Sequence, residues 1–79
     1  MRSQDILDGV AVFVAAADAG SFSEAGRRLG ISPSAVSQAI RGLEDRLGGA
    51  LFRRSTRSLS LTDCGEDYLR AAAPALAQL

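Results

Sequence analysis

Residues 20–48 read GSFSEAGRRLGISPSAVSQAIRGLEDRLG, a segment with two helix-start signals on either side of a glycine-centred turn. Ser21 and Glu24 have the spacing of a capping box, in which each side chain satisfies an unpaired backbone N–H of the other residue. Ser32 and Pro33 mark a second start, because serine caps a helix and proline takes a first position that needs no N–H. The segment therefore predicts a short helix, a tight turn and a longer helix.

The longer helix, predicted over residues 32–47, has an apolar side and a polar side. Its apolar residues recur at spacings of four, three and four, which aligns them on one stripe facing a core: Val36, Ile40, Leu43 and Leu47. The opposite side carries small or polar residues: Pro33, Ser34, Ser37, Gln38 and Arg41. This polar side is a candidate ligand-binding surface. The alternatives to that role are an ordinary solvated helix face and, for Arg41, an ion pair with Glu44 or Asp45 one turn further on.

Helical and strand-like patterns flank these two helices. The upstream stripe consists of Ile6, Val10, Phe13 and Ala17, widened by Leu7 and Val14. This spacing predicts a first helix, with Gly20 as its left-handed cap. Residues 50–61 have apolar ends and a polar centre, which predicts a short two-stranded hairpin. Thr62 and Asp63 then begin an alanine-rich helix, in which Pro74 is expected to kink the axis or end the first half.

These elements predict a mainly α fold, a winged helix-turn-helix with a short two-stranded β wing and a C-terminal dimerisation helix. Residues 1–61 are expected to form the winged helix-turn-helix domain, and residues 62–79 a linker or dimerisation helix. The dimerisation residues are predicted to be Leu69, Ala72, Ala73, Leu76 and Leu79. Their flat, alanine-rich surface is suited to packing against a second helix, and the alternative is that it closes the core of its own monomer.

The positive charge of the chain is concentrated in its centre. Nine arginines and nine acids give a net charge of zero, and the chain has no lysine. Residues 25–60 hold seven of the arginines and two of the acids, hence a net charge of +5, whereas both flanks are acidic. This distribution suits a protein that presents one face to a polyanion.

Candidate phosphate-binding residues lie in the predicted wing and in the second helix. The wing residues Arg53, Arg54 and Arg57 occur where no acid lies between residues 46 and 62. Their guanidinium groups can grip phosphates or enter a narrow minor groove, and the alternative is a charged tip that keeps the hairpin soluble. Further candidates are Ser21, Ser23 and Arg28 near the second helix, with Arg27 beside them, and Arg41 on the longer helix. Helix capping is the alternative for the serines, and a solvated helix surface for these arginines.

Composition argues against several other function classes. The chain has 79 residues, no histidine and one cysteine, so it offers one small domain, no internal disulfide and no zinc site with the usual ligands. No catalytic constellation is evident, and we expect no enzyme, no metal and no cofactor. Cys64 is expected to be a buried or half-buried thiol without a role. The longest apolar run, residues 10–17, is too short for a membrane span, and without a signal peptide a cytoplasmic location is expected.

An ordered set of residues then extends along nearly the whole chain. It consists of Phe13-Val14, Ala17, Gly20-Ser21-Phe22-Ser23, Ala25, Leu29, Ser32-Pro33-Ser34-Ala35-Val36-Ser37, Ile40, Leu43-Glu44, Leu47-Gly48, Leu51-Phe52, Arg54, Leu61-Thr62 and Gly65. The set closely resembles the N-terminal DNA-binding domain of LysR-type transcriptional regulators. The resemblance implies a third helix in the major groove, a wing on the backbone or minor groove, and a last helix that pairs two subunits. It also implies an effector-binding domain C-terminal to this chain.

The chain departs from the usual family pattern at three places. Many members have Gln-Pro where this chain has Pro33-Ser34, so Gln38 is expected to take more of the base reading. Gly26 replaces a usual alanine, at a cost of about 1 kcal/mol in helix propensity. Cys64 also stands where alanine is usual.

The resulting prediction is a homodimer that binds double-stranded DNA sequence-specifically, with Pro33, Ser34, Ser37 and Gln38 at the bases. Its half-sites are expected to be related by two-fold symmetry, one helical turn or a multiple of it apart. The rival prediction is a helical protein-interaction module that binds a partner through residues 62–79 and never touches DNA. Such a module would have no affinity for duplex DNA, or an affinity that does not fall with salt.

Overall fold

The computed structural model describes the backbone of residues 3–54 and 59–78 and the side chains of residues 9–53 and 59–78. Within that part of the chain there are four helices and two strands. They are α1 (Ser3–Ala19), α2 (Phe22–Leu29), α3 (Pro33–Leu47), β1 (Phe52–Arg54), β2 (Leu59–Leu61) and α4 (Asp63–Ala77). The strands form an antiparallel sheet in which Phe52 lies opposite Leu61, Arg53 opposite Ser60 and Arg54 opposite Leu59. The predicted winged helix-turn-helix fold is confirmed.

Hydroxyl side chains cap three of the helices at the residues that the sequence predicts. The Oγ atom of Ser21 accepts a hydrogen bond from the backbone N–H of Glu24 at 3.0 Å. In the same way, Ser32 accepts from Ala35 at 3.1 Å, and Thr62 accepts from Gly65 at 2.9 Å. The Glu24 carboxylate accepts from Arg27 and Arg28 rather than from Ser21, so only the serine half of the predicted capping box forms among the described residues.

The core is built around α1 and α3 and is closed by the start of the wing. Its buried members are Val12, Phe13, Ala16, Ala25, Val36, Ile40, Leu43, Leu51 and Phe52. The ring of Phe13 lies 5.4 Å from that of Phe52 and 5.6 Å from that of Tyr68, measured between ring centroids. Tilted aromatic pairs of this kind add to the stabilisation from burial. The core therefore joins α1, β1 and α4 directly.

One sequence-based assignment of the core is wrong, and a second is confirmed only in part. Leu47, predicted to complete the α3 stripe, is 42% exposed, because the chain reverses at Gly48 and carries Leu51 and Phe52 into the core instead. In α1 the centre of the buried face is Val12, Phe13 and Ala16, and the predicted Val10 and Ala17 are only partly buried at its edges. This helix packs against α2, α3 and α4, so its buried face is broader than one stripe. The side chains of Ile6 and Leu7 lie outside the described residues.

Two further expectations change at single residues. Cys64 is exposed, not buried or half-buried, because it lies on the outer side of the first turn of α4. At Gly26 a Cβ atom would lie 2.5 Å from the carbonyl oxygen of Ile31. The glycine therefore permits the close approach of α2 to the following turn. The cost of about 1 kcal/mol in helix propensity given above does not include this effect.

The last helix continues through its proline. Asp63–Ala77 is helical on both sides of Pro74, so the proline does not end α4. Tyr68 and Leu69 pack against the core, and Ala72 is buried. No helix within the described residues has the length and apolar character needed to cross a bilayer.

Candidate nucleic-acid interface

The polar side of α3 faces solvent, opposite the residues that anchor the helix. Val36, Ile40 and Leu43 are buried in the core. The four predicted base-reading residues lie on the other side: Pro33, Ser34 and Gln38 are exposed, and Ser37 is half-buried. Because the core fixes the rotation of α3 about its axis, these four side chains share one accessible surface, which we call the α3 outer face.

Arg41 continues the α3 outer face by another turn. Its side chain is exposed, and among the described residues it forms no ion pair with Glu44 or Asp45. The ion pair that the sequence left open for Arg41 is therefore absent from this structure. The guanidinium remains available to a ligand.

The serines near α2 have different surroundings. Ser21 is half-buried, and its hydroxyl oxygen already accepts the capping bond from Glu24. A hydroxyl that accepts one hydrogen bond can still donate another, so capping leaves the O–H of Ser21 able to reach a phosphate. Ser23 is exposed in the first turn of α2. Both serines lie at the helix N-terminus, where an anion is favoured.

Arg28 belongs to a surface network that is only partly visible in the sequence, because its pair with Glu24 follows helical spacing whereas its bond to Asp18 spans ten positions. It donates to Asp18 at 2.8 Å and to Glu24 at 3.3 Å, and Arg27 donates to Glu24 at 2.7 Å. The bond to Asp18, followed by the bond to Glu24, raises the pKa of Arg28 above its usual value. The bonds from Arg27 and then Arg28 lower the pKa of Glu24. Exposed ion pairs of this kind are weak, so a phosphate can compete for Arg28.

The wing presents at least one of its predicted arginines to solvent. Arg53 is exposed in β1, opposite Ser60 in β2. The backbone of Arg54 is the last residue of β1, but its side chain lies outside the described residues. Arg57 lies wholly outside them. The structure therefore describes the start of the arginine-rich wing and not its tip.

A junction that sequence analysis missed lies where the chain enters the wing. We call residues 50–52 the wing base. The Oε2 atom of Glu44 accepts from the backbone N–H groups of Leu51 at 2.8 Å and Phe52 at 3.5 Å. From the other side, the Thr62 hydroxyl donates to the carbonyl of Ala50 at 2.6 Å. The available signal was an acid on α3 shortly before a glycine reversal, which brings the following backbone N–H groups back to it.

The predicted dimerisation residues divide into two groups. Ala72 is already buried within the monomer, against its own fold, so it offers little surface to a partner. Leu69, Ala73 and Leu76 are half-buried and keep part of their surface in solvent. Leu79 lies outside the described residues.

The chain resembles known regulatory proteins over most of its length. Residues 7–66 match the family described as bacterial regulatory helix-turn-helix protein, lysR family. The chain is 51% identical over 73 residues to an uncharacterized HTH-type transcriptional regulator, y4mQ, of Sinorhizobium fredii, covering 92% of this chain and 24% of that protein. The chain spans between a fifth and a quarter of the length of this and other curated relatives.

Solved structures with the same fold include two DNA complexes. The CbnR_DBD–DNA complex has a TM-score of 0.86 and 32% identity, covering 91% of this chain and 83% of that one. The BenM_DBD/benA site 1 DNA complex has a TM-score of 0.87 and 30% identity, covering 91% and 81%. These similarities support the resemblance noted in the sequence and place the chain among transcription regulators, not enzymes. The chain therefore belongs to the LysR family of bacterial regulatory helix-turn-helix proteins, as their helix-turn-helix DNA-binding domain.

Proposed function

We propose that this chain binds double-stranded DNA sequence-specifically as the DNA-binding domain of a dimeric LysR-type regulator, with α3 in the major groove. The observation that carries the proposal is the α3 outer face, an accessible surface of small and polar residues opposite the buried Val36, Ile40 and Leu43. A similar domain of CbnR and a similar domain of BenM have been crystallised as DNA complexes, which supports the same mode of binding here.

The chemistry of the α3 outer face suits base reading. Its small residues, Pro33, Ser34 and Ser37, allow the helix backbone to approach the floor of the groove. Gln38 can pair its amide with the N6 and N7 atoms of adenine, an arrangement worth about 1–3 kcal/mol of discrimination. Ser34 and Ser37 can bond either a base edge or a phosphate.

Contacts to the DNA backbone come from the elements on either side of α3 and from Arg41 on α3 itself. The wing arginines, Arg53, Arg54 and Arg57, grip phosphates or enter the minor groove. Further contacts come from Ser21, Ser23, Arg28 and Arg41. Because Arg28 is held by Asp18 and Glu24, a phosphate exchanges with at least one of these carboxylates, which reduces the net gain from that contact.

Dimerisation through α4 completes the proposed function. The half-buried Leu69, Ala73 and Leu76 supply an apolar surface for the same surface of a second copy. A two-fold dimer matches DNA half-sites related by the same symmetry. An effector molecule would act through a C-terminal domain of the full regulator.

The test is fluorescence anisotropy with DNA selected from a random pool. Gln38→Ala is expected to relax discrimination at one base position of each half-site, by about 1–3 kcal/mol against the wrong base. Gln78→Ala, at the exposed end of α4, removes the same side chain far from the α3 outer face and should leave specificity unchanged. Arg54→Ala should weaken binding to all DNA sequences about equally, whereas Arg70→Ala makes the same charge change on α4 and should not.

Two outcomes would contradict the proposal. Failure of the wild-type chain to bind any duplex at low salt would exclude DNA binding. Unchanged specificity in Gln38→Ala, together with unchanged affinity in Arg54→Ala, would exclude the proposed docking of α3 and the wing.

A further inference from the structure

One carboxylate links the proposed recognition helix to the wing. Glu44 lies in the last turn of α3, and its Oε2 atom accepts from the N–H groups of Leu51 and Phe52 at the entry to β1. Phe52 is the first residue of β1, and Arg53 follows it directly. We infer that Glu44 is a positioning residue, which sets where the wing arginines lie relative to the α3 outer face. This inference rests on the proposed DNA binding.

The packing of the wing explains why such a link is needed. Strand β2 packs against α1 and α4, whereas no extensive backbone contact joins α3 to either strand within the described residues. The side chains of Leu51 and Phe52 are buried in the core, which fixes how deeply the wing base is inserted. Burial of two side chains does not fix the direction in which the strand leaves the core. Pairing with β2 orients β1 relative to α1 and α4, and the bonds from the two N–H groups to a carboxylate on α3 orient it relative to α3.

The other side of the wing base is held by α4. The carbonyl of Ala50 accepts from the Thr62 hydroxyl, and the carbonyl of Leu51 accepts from the Thr62 N–H at 3.0 Å. The carbonyl groups of Ala50 and Leu51 are therefore tied to the start of α4, and the N–H groups of Leu51 and Phe52 are tied to α3. Glu44 makes the second of these ties through one side-chain oxygen that accepts from both N–H groups.

The link matters for DNA binding because α3 and the wing would contact one duplex at two places. If their relative position is fixed before binding, the second contact forms without a further loss of conformational entropy. Without Glu44 the N–H groups of Leu51 and Phe52 turn to water, and the wing base is no longer aligned with α3. The wing arginines then contribute less to affinity, even in a folded domain.

The experiment measures the affinity of the full chain for selected DNA across a salt series, at a temperature where circular dichroism shows each variant folded. Glu44→Ala removes the acceptor, Glu44→Gln keeps an acceptor without the charge, and Glu44→Asp keeps the charge on a shorter side chain. Asp45→Ala is the matched control, because it removes an exposed acid from the next position of α3. Each variant is also made with both β1 arginines replaced, Arg53→Ala and Arg54→Ala.

The positioning role predicts a specific change in the salt dependence. In the wild type, affinity should fall as the salt concentration rises. Replacing both arginines should make the slope of log affinity against log salt concentration less steep, by about 0.9 for each phosphate that is no longer neutralised. Glu44→Ala and Glu44→Asp should show that reduced slope already, and replacing the arginines should then change affinity by less than about twofold, far less than in the wild type. Glu44→Gln and Asp45→Ala should keep the wild-type slope and the full arginine effect.

A merely structural role gives a different result. The inference would be overturned if Glu44→Asp had a lowered melting temperature but kept the wild-type slope and the full arginine effect. A folded Glu44→Ala that kept the wild-type slope and the full arginine effect would overturn it as well. If Glu44→Ala does not fold, the Glu44→Asp result decides. Failure of the proposed function is recognised separately, because the wild-type chain itself would then not bind the duplex.

Discussion

At the scale of single residues, two helical glycines with different surroundings show what the fold demands. Gly65, in the first turn of α4, is buried against the wing base, and a Cβ atom there would collide with the carbonyl oxygen of Leu51 and lie 3.1 Å from a methyl group of Leu61. At Gly42, in α3, no heavy atom of the described residues lies within 4 Å of the corresponding position, apart from the chain neighbours and the backbone of the helix itself. Gly65 is therefore required by close packing, whereas Gly42 has no such requirement.

We predict opposite effects for the two alanine substitutions. Gly65→Ala should lower the free energy of unfolding by about 1–3 kcal/mol, because the obstacle is backbone and not the end of a flexible side chain. Gly42→Ala should raise it by up to about 1 kcal/mol, the difference in helix propensity. Urea denaturation followed by circular dichroism measures both. Equal effects at the two positions, or a stabilised Gly65→Ala, would contradict the packing described for the wing base.

Single-residue roles that depend on chain reversal were beyond local sequence reasoning. The capping roles of Ser21, Ser32 and Thr62 were predictable, because each cap depends on residues within one turn. The partners of Glu44 lie seven and eight positions along the chain, after the reversal at Gly48. Spacing rules for helices do not reach that far, so the only signal in the sequence was an acid shortly before a glycine reversal, and the bonds themselves were seen in the structure.

At the scale of elements, periodicity predicted which helices exist better than which residues each buries. Helix α3 begins and ends where the caps predict, and the centre of its stripe is buried. The exposed Leu47 shows that a spacing rule gives no account of where a stripe ends. That depends on the neighbouring segment, here the wing base, which competes for the same part of the core. The α3 outer face was predictable because it lies opposite the centre of the stripe.

Helix α2 carries a charge network that gives its stability a pH dependence. The hydrogen bonds from Arg27 and from Arg28 hold the pKa of Glu24 below its ordinary value of 4.5. A carboxylate with a lowered pKa in the folded state contributes stability above its unfolded pKa, and this contribution is lost as the pH falls through the folded value. The network therefore stabilises α2 at neutral pH and stops doing so in acid.

The prediction concerns the difference between the wild type and Glu24→Gln. The wild type should have the higher melting temperature at pH 7, and this difference should shrink once the pH falls below about 4.5. The effect should be small, because the charges are exposed, and it should weaken with added salt. Glu66→Gln, at an exposed acid in the first turn of α4, is the matched control. A difference that is constant from pH 7 to pH 3 would show that the network does not couple to folding.

At the scale of the whole molecule, the net charge of zero conceals an uneven distribution of charge along the chain. The acids of α4 include Asp63 and Glu66 in its first turn, where they are favoured by the helix dipole. Asp67 pairs with Arg70 at 3.6 Å. These charges belong to α4, whereas the basic excess lies between residues 25 and 60. The distribution of charge, and not its sum, therefore pointed to the surface that we propose binds DNA.

The dimer proposed through α4 leads to a prediction for the assembled protein. Leu76 keeps part of its side chain in solvent and is not a member of the core, so replacing it should disturb a partner more than the monomer. Leu76→Glu should shift the chain towards monomer in sedimentation analysis, because a carboxylate in an apolar helix pair loses its hydration. Affinity for a two-half-site duplex should fall at least about tenfold, equivalent to about 1.4 kcal/mol, while affinity for a single half-site changes little. Gln78→Glu adds the same charge at the exposed end of α4 and should do neither. If Leu76→Glu left both the mass and the two-half-site affinity unchanged, the two copies would have to meet through another surface, and the half-buried side of α4 would belong to the monomer alone.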